Sequence, residues 1–238
     1  MTNNRILADI QKELEDNIDP SPRVKLDYYF KEEVKFHGVK TAVVNRIARE
    51  RYHQIKGLSK EDTFSLCTAL LKTDYMEEAT IACDWAYRLR EKFEPTDFEL
   101  FEEWLKKYIN NWAKCDTFCN HTVAAFVEKY PEYIKRLKDW AKSENRWLKR
   151  AAAVTLILPA RRGKFLKDIF EITDSLLQDK DDLVQKGYGW MLKEASKLYQ
   201  EEVFNYIMSK KAIMPRTALR YAIEKIPEDL KRRAMARE

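Results

Sequence analysis

The sequence predicts an all-α protein, a curved solenoid of stacked helical hairpins. Three observations carry that reading. Five glycines and seven prolines in 238 residues are too few for an all-β chain full of tight turns. The charged fraction is 35%, and Ala, Leu, Lys, Glu and Arg, all good helix formers, dominate. Finally, a bulky residue opening a helix just after a polar break recurs at Tyr75, Trp112, Trp147 and Leu183, a spacing of 35 to 37 residues. That is the length of a helical-hairpin repeat. One hairpin cannot bury its apolar face alone, so hairpins stack, and the second helix of each is expected to line one side of the curve. No linker or low-complexity segment interrupts the pattern, so residues 1–238 read as a single helical-repeat domain.

Taken in order, the first helix is expected over Asn4–Asn17, with Ile6, Ile10, Leu14 and Ile18 as its apolar stripe. Asp19-Pro20-Ser21-Pro22 breaks it, and a second helix is expected through Tyr28, Tyr29 and Phe30. Phe36 to Thr41 forms a turn around Gly38. Thr41 is placed to cap the helix holding Val43, Val44 and Ile47, although Gly38 to Lys40 can equally belong to that helix. Ser59 with Glu61 and Asp62 reads as an N-cap followed by acids in the first turn. Further breaks are expected at Thr73-Asp74, Glu94 to Asp97, Lys129 to Pro131, Lys142 to Asn145, Pro159 to Gly163, Asp179 to Asp182, Ala212 to Pro215 and Pro227.

The formal net charge of +5 permits a polyanionic partner without requiring one. The N-terminal stretch has acids and no apolar run, unlike a signal peptide. The longest apolar stretch, Ala151 to Ala160, is too short to span a bilayer. A cytoplasmic protein without a membrane partner is expected. Its cysteines, Cys67, Cys83, Cys115 and Cys119, are expected as free thiols.

The stretch Asn111 to Cys119 lies near the middle of the chain, inside an expected helix. Trp112 and Asp116 are four residues apart, so they share one helix face. On spacing alone the plainer reading is a buried tryptophan beside a surface aspartate. The repeat register changes the weighing, because equivalent positions share a surface and could gather Trp112, Asp116, Arg150, Lys186 and Trp190. Arg146, Lys149, Arg161, Arg162, Lys164 and Lys193 would add cations suited to a phosphate backbone, with salt-dependent binding. Taken singly, most of these cations read equally as solvated helix faces. A carboxylate is a poor choice for simple DNA affinity. It suits a ligand that develops positive charge, as a sugar does when its N-glycosidic bond breaks. It can also orient or deprotonate the attacking water. Tryptophan faces attract cations, which favours a cationic alkylated purine.

These residues resemble the AlkD-type DNA alkylation repair glycosylases, which are built of HEAT-like helical repeats. Trp112-Ala-Lys-Cys-Asp116-Thr is similar to the family's catalytic Trp/Asp helix. Trp147 to Ala152 resembles its arginine segment, and Gln185 to Glu194 its second tryptophan segment. Phe36-x-Gly38-Val39-x-Thr41 resembles a short N-terminal signature. The specific part of the likeness runs from about Lys107 to Glu224. The resemblance implies Asp116 as the catalytic carboxylate, with Trp112 and Trp190 against the deoxyribose and backbone of the lesion. It implies that Arg150 contacts a phosphate and supports Asp116, and that Lys193 binds the backbone. It further implies excision of N3- and N7-alkylated purines such as 3-methyladenine and 7-methylguanine from double-stranded DNA, without a deep base pocket and without a cofactor. A monomer associated with the nucleoid is expected. The chain departs from the family in its neighbours of Trp112, Asn111 and Ala113, where some members carry paired tryptophans.

Cys115, Cys119 and His121 do not make a convincing metal site, because zinc takes four ligands in paired short spacings. Cys119 and His121 are two residues apart and face apart on a helix, which argues against a nucleophile pair. Buried thiols are expected instead. Trp85, Trp104 and Trp140 lie in apolar stripes and are expected in the core. The rival function is a non-catalytic helical-repeat scaffold that binds DNA or protein.

Overall fold

In the computed structural model, which describes residues 3–19 and 29–236, every regular element is helical. The extended pairing among the described residues is an isolated bridge between Lys35 and Tyr75. The chain divides at Phe118 into two units.

The first unit holds α1 (Asn3–Glu15), α2 (Thr41–Ile55), α3 (Lys60–Lys72), α4 (Met76–Arg88), α5 (Asp97–Lys107) and α6 (Trp112–Phe118). Helix α1 buries Ile6, Ile10 and Leu14, as their spacing predicts. Ile18 does not join them. The helix ends at Glu15, and Ile18 lies 46% exposed beyond the turn. Tyr29 and Phe30 are not helical either, and Tyr28 and Pro20 to Pro22 lie outside the described residues. Thr41 is the first residue of α2 rather than its cap, Gly38 to Lys40 lies outside the helix, and Lys40 is extended at the N-cap position. Gly38 has φ 94°, a conformation that a side chain would strain. Ser59 caps α3 as expected: its Oγ accepts from Asp62 N at 3.0 Å and donates to the Asp62 carboxylate at 2.8 Å.

Helices α2, α4 and α6 pack in succession, while α1 packs on α3. The repeat length is visible in the bonds between neighbouring hairpins. Trp85 Nε1 donates to the Ala48 carbonyl 37 residues away, and Trp104 Nε1 to Thr68 Oγ1 36 residues away. Both indoles are buried with their one polar atom satisfied, as large core aromatics require. Phe118 of α6 closes this core edge-on against Phe101.

The second unit holds α7 (Ala124–Lys129), α8 (Ile134–Trp140), α9 (Arg146–Val154), α10 (Ile157–Arg161), α11 (Leu166–Leu176), α12 (Asp182–Ala195), α13 (Gln200–Lys210), α14 (Arg216–Ala222) and α15 (Glu228–Met235), after a π-helical turn over Cys119–Val123. Helices α9, α12 and α14 form one layer, and α8 packs on α11 behind them. Asn145 and Asp181 cap α9 and α12 with their side chains, at the polar breaks the sequence marks. The break expected at Pro159 is displaced. Pro159 sits in the first turn of α10, where its missing N–H has no intrahelical partner to lose, and the chain breaks from Arg162 onward. Trp140 is in the core, as are Cys67, Cys83, Cys115 and Cys119.

The four bulky residues that mark the repeat do sit at the start of second helices. Tyr75 caps α4, Trp112 opens α6, and Trp147 and Leu183 are second residues of α9 and α12. Two such helices approach closely at Gly189. A Cβ there would lie 2.7 Å from Tyr221 Cβ and 2.8 Å from the Ala218 carbonyl of α14. Gly189→Ala should therefore destabilise the fold by about 1–3 kcal/mol by forcing α12 and α14 apart, although alanine is the better helix former. A thermal melt at or above the wild-type midpoint would contradict this packing.

Candidate functional site

Helix α6 has two distinct faces. Lys114, Cys115 and Phe118 are buried, whereas Trp112, Ala113, Asp116 and Thr117 are half-buried. Trp112 and Asp116 thus share one accessible face, as their spacing predicts, and neither is sealed in the core. The indole is held in place. Its ring stacks on Phe30 at 5.3 Å between centroids and 15° between planes, and its Nε1 donates to the Tyr29 carbonyl at 3.1 Å.

Beneath that face lies a buried cation. Lys114, 1% exposed, donates to the Asp74 carboxylate at 2.6 Å, the Asp74 carbonyl at 2.9 Å and Asn110 Oδ1 at 3.1 Å. Asn110 also donates to Asp74 at 2.7 Å. Burial pushes the Asp74 carboxyl up, but the hydrogen bonds from Lys114 and Asn110 outweigh it and leave the group below the usual range. Asp74 takes a left-handed φ of 69°, which aspartate tolerates better than most residues. The network ties the start of α6 to the turn before α4.

The signature around Gly38 is anchored from α4. Glu77 accepts from three consecutive backbone N–H groups, those of His37 at 3.0 Å, Gly38 at 2.7 Å and Val39 at 3.1 Å. The neighbouring Glu78 takes the His37 ring nitrogen at 2.8 Å, and the His37 ring stacks on Tyr75. Both carboxylates are buried, and the loop's donors offset part of the cost of burying them. The same segment carries Phe30 and Tyr29, the partners of Trp112.

The other residues singled out lie in the second unit. Arg150 is 5% exposed, its Nη1 donates to the Leu183 carbonyl, and a Cβ on Gly187 would touch its Cγ at 3.5 Å. It stitches α9 to α12. Trp190 is half-buried on α12, and its Nε1 donates to Glu194 one turn later at 3.3 Å. Glu194, itself buried, also receives Arg161 at 2.8 Å and Lys197 at 2.5 Å. Burial raises this carboxyl, but its bonds to Lys197 and Arg161 prevail and hold it below the usual range. A depressed carboxylate stabilises the fold above its unfolded value and loses that contribution as pH falls through the folded one. The gap in melting temperature between wild type and Glu194→Gln should therefore be widest near neutrality and close below about pH 4.5. A gap that stays constant from neutral to acid pH would exclude this role.

The surface cations that the sequence singles out are engaged by acids. Arg146 pairs with Asp181 at 2.7 Å, Lys149 with Asp179 at 2.5 Å and Lys186 with Asp182 at 3.0 Å. Arg162 and Lys164 share Glu128 at 2.5 and 3.0 Å, and Lys193 meets Glu224 at 2.9 Å. The Lys193 bond is the main reason the Glu224 carboxyl sits below its ordinary range. The exposed pairs among these, Arg162 with Glu128 and Lys193 with Glu224, contribute about 0–1 kcal/mol, so there a phosphate can displace the acid at small cost.

Sequence reasoning passed over Lys114, Asp74, Glu77 and Glu194 as actors, although Lys114 and Glu194 lie inside the quoted motifs. The repeat length was the available signal: Asp74 is one repeat before Asn110, and Gly38 is about one repeat before Glu77.

The fold and the two-faced α6 define an all-α repeat protein with an accessible carboxylate and indole. The family of DNA alkylation repair enzymes matches residues 10–226, and the chain belongs to it. A predicted DNA alkylation repair enzyme from Enterococcus faecalis is similar in structure, with a TM-score of 0.78 at 16% identity, covering 89% of this chain and 98% of that one. The Pseudomonas fluorescens alkylpurine DNA glycosylase AlkC, bound to DNA containing an abasic site analog, gives a TM-score of 0.56 at 16% identity over 100% of this chain and 67% of that one. At this identity the likeness is one of fold. No curated protein sequence matches the chain. Among the described residues, no helix is long and apolar enough to cross a membrane.

Proposed function

We propose that this protein is a DNA glycosylase that hydrolyses the N-glycosidic bond of cationic N3- or N7-alkylated purines, 3-methyladenine and 7-methylguanine among them, in duplex DNA. The observation that carries the reading is the accessible face shared by Trp112 and Asp116 on a helix pinned from below by Lys114. Loss of the alkylated base leaves a cationic sugar. The Asp116 carboxylate stabilises that charge and accepts the proton of the water that adds to C1′. The base leaves as a neutral purine, so no strong acid is required. Trp112 and Trp190 are assigned to the deoxyribose and backbone of the lesion. Arg150, whose Nη1 donates to the Leu183 carbonyl, is assigned to a phosphate near the lesion. Lys193, Lys186, Arg146, Lys149, Arg161 and Arg162 are assigned to the backbone, which they reach by exchanging acid partners for phosphates. No cofactor enters this scheme, residues 1–238 act as one functional domain, and the protein works as a monomer.

A second reading has one observation in its favour. Arg146, Lys149 and Lys193 already pair with acids, as in a helical scaffold that binds protein or DNA without chemistry. Incubating the pure protein with methylated duplex DNA and identifying free bases by mass spectrometry separates the two. Release of 7-methylguanine supports the enzyme; intact DNA after exhaustive incubation supports the scaffold.

A further inference from the structure

We propose that the groove between α14 and α15 binds a DNA phosphodiester and extends the backbone track past Lys193. The inference rests on the reading that the chain binds duplex DNA. The groove measures about 350 Å³, at the lower end of ligand-sized clefts, which suits one phosphate with its sugar better than an extended ligand. Its floor is apolar, with Ile223 and Met235, and Arg220, Lys231 and Arg232 line it.

The charge balance distinguishes this place from the rest of the surface. Both acids on the groove are engaged by lysines, Glu224 by Lys193 at 2.9 Å and Lys225 at 3.4 Å, and Glu228 by Lys231 at 3.5 Å. Arg220 and Arg232 line the groove and make no ion pair with any described residue. The surface cations that the sequence singles out must each give up a carboxylate to take a phosphate; these two need not. Arginine is also the better residue for the task, because its planar fork grips two phosphate oxygens at once and stacks on a sugar. Glu224 links the groove directly to Lys193, so the two anion sites are continuous within one unit.

The test uses the full chain and a fluorescent duplex titrated between about 50 and 200 mM salt. Arg220 and Arg232 are exposed, so Arg220→Gln and Arg232→Gln leave the core untouched. The double variant should make the slope of log affinity against log salt shallower by about 0.9, the contribution of the one phosphate the groove holds, and each single variant should make it shallower by part of that. Release of an alkylated base at saturating DNA should stay at the wild-type rate, since neither residue belongs to the catalytic set. Slopes equal to wild type would overturn the proposal, including the case in which the groove takes a protein partner. A wild-type chain with no affinity for duplex DNA would overturn the parent reading along with it. Wild-type binding with unchanged variant slopes would overturn the groove alone.

Discussion

Asp116→Asn is expected to abolish base release from methylated DNA, lowering the single-turnover rate at least about a hundredfold, the lower end of what a positioned acid–base group contributes. Asparagine keeps the shape of the side chain and its place on the accessible face of α6. It removes the negative charge that the cationic sugar meets and the site that accepts the water proton. Binding should hold or tighten, because an amide does not repel phosphates as a carboxylate does. The measurement is the release of 7-methylguanine with enzyme in excess, beside an anisotropy titration of the same duplex. A variant within a few-fold of the wild-type rate would remove Asp116 from the chemistry. Loss of binding in parallel with loss of rate would point to misfolding of α6 instead.

The second large effect concerns stability. Asp74→Asn should cost about 3–5 kcal/mol, because it leaves the Lys114 ammonium buried without a counter-charge. Asparagine tolerates the left-handed backbone at this position, so the loss isolates the charge rather than the turn. At this chain length that corresponds to a fall in melting temperature of about 6–20 °C. Lys114→Met in the same background should recover much of the loss, since an apolar replacement of a buried pair is often nearly neutral. A single variant that melts within about a degree of wild type would show that Lys114 finds another partner or water. A double variant as unstable as the single would place the cost elsewhere than the orphaned charge.

The cap at Ser59, the polar breaks that hold Asn145 and Asp181, and the core stripe Ile6, Ile10 and Leu14 were legible because they depend on neighbours within about one helical turn. The shared face of Trp112 and Asp116 was legible for the same reason. Errors fell where local cues were ambiguous. Ile18 continued the stripe in sequence after the helix had ended, and Pro159 looked like a break although a first turn accommodates it.

By itself, then, the sequence determined the helical class, the repeat of 35 to 37 residues and the residues that could carry charge or an aromatic face. Only the tertiary structure decided what those charges do. Arg146 reaches Asp181, Lys193 reaches Glu224, Lys114 reaches Asp74 and Glu77 reaches the Gly38 loop, each across 31 to 40 residues of chain. Helix periodicity relates residues three and four apart. Which acid meets which base one repeat away depends on the register in which hairpins stack, and that register is set by side chains interlocking in the core.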